Sequence, residues 1–187
     1  MTDSNWQEEI TPVLRQCQII VGSLIAGSVV FLVIVLFRGQ PQAANAGPPV
    51  MTYVALVFMA VILVARAIVP VVVARLARRR IVRGETPFLP TTGGAPIKGM
   101  IENIGDAGRL ALVFQTKTII AGALLEGCAF FLLVVHMIEG SPISLGAALA
   151  LILALAMLMP TRGRIVRWIE NQLELLEQER QLQDAEP

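Results

Sequence analysis

Two ionisable side chains lie inside long apolar stretches of this sequence. Glu126 lies near the middle of the apolar stretch 118–138, and Arg66 lies in the second half of the stretch 50–74. A charged group at the centre of a bilayer costs roughly 2.5–3.5 kcal/mol, so such residues mark proton or ion pathways or pairs that hold helices together. A carboxylate in this setting can carry a proton or bind a cation, and a guanidinium can be its counter-ion.

The depths of the two groups suggest that they meet. At about 1.5 Å per helical residue, Arg66 lies roughly 12 Å before the end of its stretch and Glu126 roughly 12 Å after the start of its own. Both of these ends are expected on the cytoplasmic side. We therefore predict an ion pair between Arg66 and Glu126. Three interpretations stay open: the pair is a structural latch between helices, it takes part in moving protons or ions, or Glu126 is protonated and buried alone.

His136 is the only histidine, and it lies near the far end of the stretch 118–138, close to Glu139. A histidine at a membrane interface is expected to be solvated. The alternative is that His136 donates or accepts a proton in a proton pathway.

The stretches that hold these residues are long enough to cross a bilayer. Hydrophobic residues make up 55% of the 187 residues and charged residues 16%, and the mean hydropathy is +0.69. About 20 apolar residues of helix cross a bilayer core, and four segments qualify, namely 19–37, 50–74, 118–138 and 143–159. This pattern predicts an all-α protein with a four-helix transmembrane bundle.

Basic residues flank the predicted spans unevenly. The link 38–49 has one basic residue, Arg38, and the link 139–142 has none. Positive charge concentrates in the middle segment and after the fourth span: Arg75, Arg78, Arg79, Arg80, Arg83, Lys98, Arg109, Lys117, Arg162, Arg164 and Arg167. Cytoplasmic loops carry such an excess, so we predict a multi-pass protein of the inner (plasma) membrane with both termini in the cytoplasm.

The chain also repeats itself after a shift of one hundred residues. The first span matches the third, with Gly22 and Gly27 recurring as Gly122 and Gly127, and the second span matches the fourth more weakly. A duplicated helical hairpin accounts for this match, and it predicts parallel repeats. Small residues let helix backbones approach closely, so we expect the first and third spans to pack together at a pseudo-symmetric centre.

These observations divide the chain into five parts. They are a cytoplasmic N-terminal segment (1–18), a first transmembrane hairpin (19–74), a basic cytoplasmic connector (75–117), a second hairpin (118–160) and a cytoplasmic tail (161–187). No secretory signal is expected, because the first residues are acidic and no small-residue cleavage site follows the first apolar run.

The connector and the tail contain further predicted features. Arg78, Arg79, Arg80 and Arg83 are expected either to bind lipid headgroups or only to set the topology. A short helix is predicted over 100–114. Residues 162–184 are predicted to form an amphipathic helix that pairs with a second copy or docks on the connector, with these residues on one face: Ile165, Ile169, Leu173 and Leu176.

The sequence offers little support for catalysis. Cys17 and Cys128 lie in different apolar runs and are expected to be free thiols. One histidine and no CxxC motif make a zinc site improbable, and no cytoplasmic nucleophile lies beside a base. We therefore expect no enzymatic activity, no cofactor and no nucleic-acid partner.

Two resemblances add to this interpretation. Residues 123–135, which contain Glu126 and an aromatic Leu-Val-Val run, resemble the ion-carrying helix of the rotary ATPase proteolipid (c) subunit. That resemblance implies that Glu126 carries protons. The whole chain resembles uncharacterised four-span bacterial membrane proteins, through residues 115–131 and the Pro-Thr-Arg-Gly turn 160–163. That resemblance implies the architecture and no known activity.

The leading hypothesis is a non-enzymatic scaffold or accessory subunit. It would contact membrane lipids and assemble with copies of itself or with a larger membrane complex. The alternative is a proton- or ion-translocating subunit that uses Glu126.

Overall fold

The chain is all-helical in the part that the structure describes. The computed structural model describes residues 10–38, 50–82 and 105–184, and the side chains of these residues up to 181. These ranges contain five helices and no strand: α1 (Thr11–Phe37), α2 (Val50–Val82), α3 (Asp106–Glu139), α4 (Pro142–Met157) and α5 (Arg162–Asp184).

Three of these helices, α1, α2 and α3, are long and apolar enough to cross a membrane. The fourth predicted span corresponds to α4, which has 16 residues and is about 24 Å long. That length is shorter than a bilayer core of about 30 Å. The number of spans rises to four if α4 and α5, which meet at a bend of 72°, are counted together as one span.

The helices extend beyond the predicted apolar stretches. The separate helix predicted over 100–114 is wrong, because α3 runs without interruption from Asp106 to Glu139. Residues 115–117 carry no helix-breaking side chain that would separate the two predicted elements. Gly105 adopts a left-handed conformation with φ of 62° immediately before α3, and residues 100–104 lie outside the described residues.

The chain divides into two compact units. Unit 1 comprises Met1–Gln18, Pro70–Thr118 and Pro160–Pro187, and unit 2 comprises Ile19–Val69 and Ile119–Met159. Each unit has its own hydrophobic core among the described residues.

The core of unit 2 is built mainly by α3 and α4. Its buried residues are Val35, Ala55, Leu125, Cys128, Ala129, Leu132, Leu133, Val135, Ala148, Leu151, Ile152 and Leu155. Aromatic rings add two contacts: Phe31 of α1 lies 5.0 Å from Phe130 of α3 between ring centroids, and Phe58 of α2 lies 5.4 Å from Phe131. The expected packing of the first span against the third is therefore present.

The core of unit 1 contains the apolar face of α5. Ile165, Ile169 and Leu176 are fully buried there and Leu173 is partly buried. They pack with residues from the ends of α1, α2 and α3: Ile10, Val13, Leu14, Ile81, Ala107, Leu110, Ala111 and Phe114. The predicted amphipathic helix 162–184 is confirmed, and its apolar face packs within its own chain.

Many apolar side chains of unit 2 remain exposed, above all on α2. None of the residues in the most apolar 18-residue stretch of α2 is buried. Val57, Val61, Val64 and Ile68 are each more than half exposed. Apolar helices of this kind need lipid or another protein to cover them, which agrees with a membrane protein.

Candidate functional site

The carboxyl group of Glu126 lies against α1. A Cβ atom placed on Gly27 would lie 3.3 Å from Oε1 of Glu126, closer than ordinary van der Waals contact. Glu126 is half-buried. The absence of a side chain at Gly27 therefore leaves the space that the carboxyl group occupies between α1 and α3.

The predicted ion pair between Arg66 and Glu126 is not present. Among the described residues, every ion pair lies in unit 1, whereas Arg66 and Glu126 both belong to unit 2. The carboxyl group of Glu126 likewise makes no hydrogen bond within the described part of the chain. Its neighbour across the helix interface is Gly27 instead of an arginine.

The rotation of α3 about its own axis explains the missing pair. Phe131 is the α3 residue whose ring meets α2, and Glu126 lies about 140° around the helix from it. Phe130, whose ring meets Phe31 of α1, lies only about 40° from Glu126. Glu126 therefore faces α1 and not α2, the helix that carries Arg66.

A second polar group in unit 2 lacks a partner. Ser28 follows Gly27 in α1, is fully buried, and its Oγ atom makes no hydrogen bond within the described residues. A buried hydroxyl without a partner is uncommon in proteins. Glu126 and Ser28 are thus two polar side chains on facing helices of unit 2 that make no hydrogen bond within the described residues.

The four glycines predicted at the helix interface differ in their surroundings. At Gly122 an added Cβ would lie 3.0 Å from Cδ1 of Leu24 and 3.6 Å from Cδ1 of Leu155. At Gly22 and Gly127 nothing lies within 4 Å of that position. Of these four glycines, only Gly27 and Gly122 therefore lie against side chains of other helices, and corresponding positions of the two repeats are packed differently.

Glu139 forms a hydrogen-bonded cluster that the sequence reasoning missed. Its Oε1 accepts from the backbone N–H of Met51 at 2.7 Å. Its Oε2 accepts from the backbone N–H of Thr52 at 2.8 Å and from the Thr52 hydroxyl at 2.6 Å. The first N–H groups of a helix have no partner within it, so the last residue of α3 caps the beginning of α2.

A sequence signal for this cap existed. Pro48 and Pro49 precede α2, and proline offers neither a capping side chain nor a backbone N–H. The free N–H groups at the start of α2 therefore required an acceptor from elsewhere. Glu139 is the acidic residue that closes the third apolar stretch.

His136 is buried, which contradicts the expectation of a solvated interfacial ring. It is 7% exposed, and its Nδ1 lies 2.8 Å from the carbonyl oxygen of Ser141. The Ser144 hydroxyl donates to the same carbonyl at 2.8 Å, and Gly140 between the two helices has φ of 66°. His136 thus joins the end of α3 to the beginning of α4, and its role in a proton pathway stays a prediction.

The predicted basic cluster at the end of α2 is partly engaged within unit 1. Arg78 donates from Nη1 to Oε1 of Gln172 at 3.0 Å, and its Nε lies 3.4 Å from Oε1 of Glu179. The Nε contact is an ion pair without hydrogen-bond geometry. Arg79 is exposed, Arg80 is also exposed and has a partner, and Arg83 lies outside the described residues.

Lys117 has an aromatic environment in unit 1. Its Nζ lies 3.6 Å from the centre of the Trp168 ring and 4.5 Å from the centre of the Phe114 ring. Aromatic faces attract cations in this geometry. Lys117 is half-buried and forms no ion pair with the residues that the structure describes.

The described residues contain no group of three or more His, Cys, Asp or Glu side chains that could hold a metal ion. Cys17 and Cys128 are both free and buried. No protein-family model, curated protein or solved structure matches this chain. The site must therefore be interpreted from its own geometry.

Proposed function

We propose that this chain is a non-enzymatic scaffold or accessory subunit that is embedded in a membrane and associates with other membrane helices. The observation that carries the proposal is the uncovered surface of α2, whose most apolar 18-residue stretch has no buried residue. By contrast, half of the corresponding stretch of α3 is buried within the chain. Phe58, Met59 and Ile62 contact the core of unit 2, and the remaining apolar surface of α2 is open to lipid or to neighbouring helices.

The three chain segments that make up unit 1 support a topology in which both termini lie in the cytoplasm. Its three segments precede the first span, connect the second to the third, and follow the fourth. Segments that pack into one compact unit must lie on the same side of a membrane. Four spans satisfy this requirement, because the N-terminal segment, the connector between the second and third spans and the C-terminal tail then share one side. The excess of Lys and Arg in these segments favours the cytoplasmic side of an inner membrane.

The proposed architecture is a four-helix transmembrane bundle that arose from a duplicated hairpin, with α5 in the cytoplasm. The sequence match between the first and third spans supports the duplication, and α1–α3 contacts such as Phe31–Phe130 are compatible with it. The resemblance to uncharacterised four-span bacterial membrane proteins favours the same architecture.

Disulfide cross-linking in native membranes tests the association. In a Cys17→Ala/Cys128→Ala background, single cysteines are placed at Val57, Val61, Val64 and Ile68, along the exposed side of α2. We expect cross-linked dimers or adducts with larger proteins at positions that share one helix face. Leu132→Cys, at a fully buried position, is the matched control. The absence of every adduct on α2, with the chain inserted, would refute the proposal.

A second candidate is a proton- or ion-translocating subunit that uses Glu126. The observation that favours it is that the carboxyl group makes no ion pair or hydrogen bond with any described residue and lies beside the space at Gly27. A carboxyl group that is not held by a fixed counter-ion is free to exchange a proton or a cation. The resemblance of residues 123–135 to the rotary ATPase proteolipid helix points to the same role.

Proton flux into liposomes separates the two candidates. Flux that disappears in Glu126→Gln and persists in Arg66→Gln would support translocation. An equal, low flux in wild type and Glu126→Gln, with cross-linking through α2 intact, would support the scaffold alone. Arg66→Gln and Glu126→Gln each remove one intramembrane charge. Each therefore serves as the control for the effect of the other on membrane insertion.

A further inference from the structure

Unit 1 contains a basic cleft that the proposed scaffold function does not use. The cleft has a volume of about 420 Å³ and lies between α2, the beginning of α3 and α5. Its cationic lining residues are Arg75, Arg78 and Lys117, and its other lining includes Trp168 and Gln172. No acidic residue belongs to the lining that the structure describes.

The three basic side chains that line the cleft differ in whether they have an ion-pair partner. Arg78 is paired with Glu179 and held by Gln172. Arg75 and Lys117 form neither an ion pair nor a hydrogen bond with described side chains. An anion in the cleft would be attracted by both Arg75 and Lys117.

The remaining lining favours an amphiphile over a soluble anion. Val71, Ala74 and Leu175 line the same cleft as the cations. Arg75 directly follows the predicted second span and Lys117 directly precedes the predicted third span, so both lie at headgroup depth. Tryptophan is enriched at this depth in membrane proteins, and guanidinium groups bind phosphate oxygens in pairs.

We propose that this cleft binds the phosphate group of an anionic phospholipid, with Arg75 and Lys117 as its main ligands and Trp168 beside the lipid glycerol and acyl chains. The site shares Arg78 with the predicted headgroup cluster but not Arg79 or Arg80, which do not line the cleft. The assignment rests on the proposed membrane insertion, which alkaline carbonate extraction of the membranes tests separately.

Trp168 provides a direct measurement. The chain has two tryptophans, so Trp6→Phe leaves Trp168 as the single tryptophan, which is excited selectively. The full-length variant in detergent is titrated with phosphatidylglycerol brominated on its acyl chains, and in parallel with brominated phosphatidylcholine. We expect phosphatidylglycerol to quench Trp168 at a concentration at least about fivefold lower, the factor that corresponds to about 1 kcal/mol for one cation.

Arg75→Gln and Arg79→Gln form a matched pair in the Trp6→Phe background. Both are exposed arginines of α2, one helical turn apart, and only Arg75 lines the cleft. We expect Arg75→Gln to raise the half-quenching concentration of phosphatidylglycerol about fivefold, and Arg79→Gln to leave it unchanged. Lys117→Gln, with quenching normalised to its own lipid-free signal, should behave like Arg75→Gln.

Three outcomes would overturn the proposal. One is equal quenching by the two lipids, and another is an equal loss in Arg79→Gln and Arg75→Gln, which would indicate a diffuse surface charge. The third is displacement of brominated phosphatidylglycerol by inorganic phosphate at equal concentration. That result would mean that the cleft binds a soluble anion and not a lipid. Unchanged thermal unfolding of Arg75→Gln shows that its loss of quenching is not a loss of folding.

Discussion

The Glu139 carboxylate accepts both the backbone N–H and the hydroxyl of Thr52, and this contact joins the end of α3 to the beginning of α2. It lies within unit 2, where Thr52 is 1% exposed. A negative charge at a helix N-terminus is stabilised by the free N–H groups and by the helix dipole. The residue that directly follows the third predicted span thereby contacts the first turn of the second.

The cap predicts a graded loss of stability. Thr52→Val removes the hydroxyl donor and keeps the backbone contacts, so it should lower the free energy of unfolding by about 1 kcal/mol. Glu139→Ala removes all three acceptor contacts, and its melting temperature in detergent should fall further than that of Thr52→Val. Glu170→Ala changes an exposed glutamate of α5 and is the matched control. Equal melting temperatures for Glu139→Ala and Glu170→Ala would contradict the cap.

The repeat supplies a matched pair of glycine substitutions. Gly122→Ala places a methyl group 3.0 Å from Leu24 and within 4 Å of two further leucines. Overfilling a packed interior costs about 1–3 kcal/mol, so the melting temperature should fall. Gly22→Ala, at the corresponding position of the first repeat, meets nothing within 4 Å and should be neutral or slightly stabilising. A fall of the same size in both variants would contradict the asymmetric packing.

The sequence predicted the elements of this fold better than their contacts. Apolar length identified α1, α2 and α3 as helices that can span a membrane, and the apolar periodicity of Ile165, Ile169 and Leu176 located α5 and its buried face. Both signals are local, because each depends on the composition of one continuous segment. The extent of α3 was missed because polar residues such as Lys117 interrupt the apolar run and leave the helix intact.

The prediction of the Arg66–Glu126 pair shows that local sequence signals locate residues along a helix but do not predict which neighbouring helix they face. The axial positions agree well: Arg66 lies about 21 Å from Thr52 along α2, and Glu126 lies about 20 Å from Glu139 along α3. The depth estimate was therefore sound. The rotation of α3 is set by which of its rings pack, with Phe130 against α1 and Phe131 against α2. Such a choice between neighbouring aromatic residues depends on the partner helices and is not visible in one sequence.

The environment of Glu126 predicts the result of chemical labelling. A hydrophobic carbodiimide reacts with protonated carboxyl groups in apolar surroundings, and mass spectrometry locates the adduct. Because the structure places no arginine beside Glu126, Arg66→Leu should leave the labelling rate of Glu126 unchanged across the pH range. A labelling rate of Glu126 that rises several-fold in Arg66→Leu would instead indicate that Arg66 and Glu126 form an ion pair. Glu126→Gln, which cannot form the adduct, confirms the assignment of the labelled peptide.

The attachment of α5 to unit 1 should depend on apolar burial more than on charge. Arg180 contacts Asp106 at 2.6 Å, but its side chain is 47% exposed, and exposed ion pairs contribute about 0.2–1 kcal/mol. Ile169 is fully buried in the core of unit 1, and truncating such a side chain to alanine costs about 2–5 kcal/mol. Amide hydrogen exchange measured by mass spectrometry should therefore become much faster across residues 162–181 in Ile169→Ala and change little in Arg180→Ala. The reverse order would mean that the Asp106–Arg180 contact, and not the apolar face of α5, holds this helix in place.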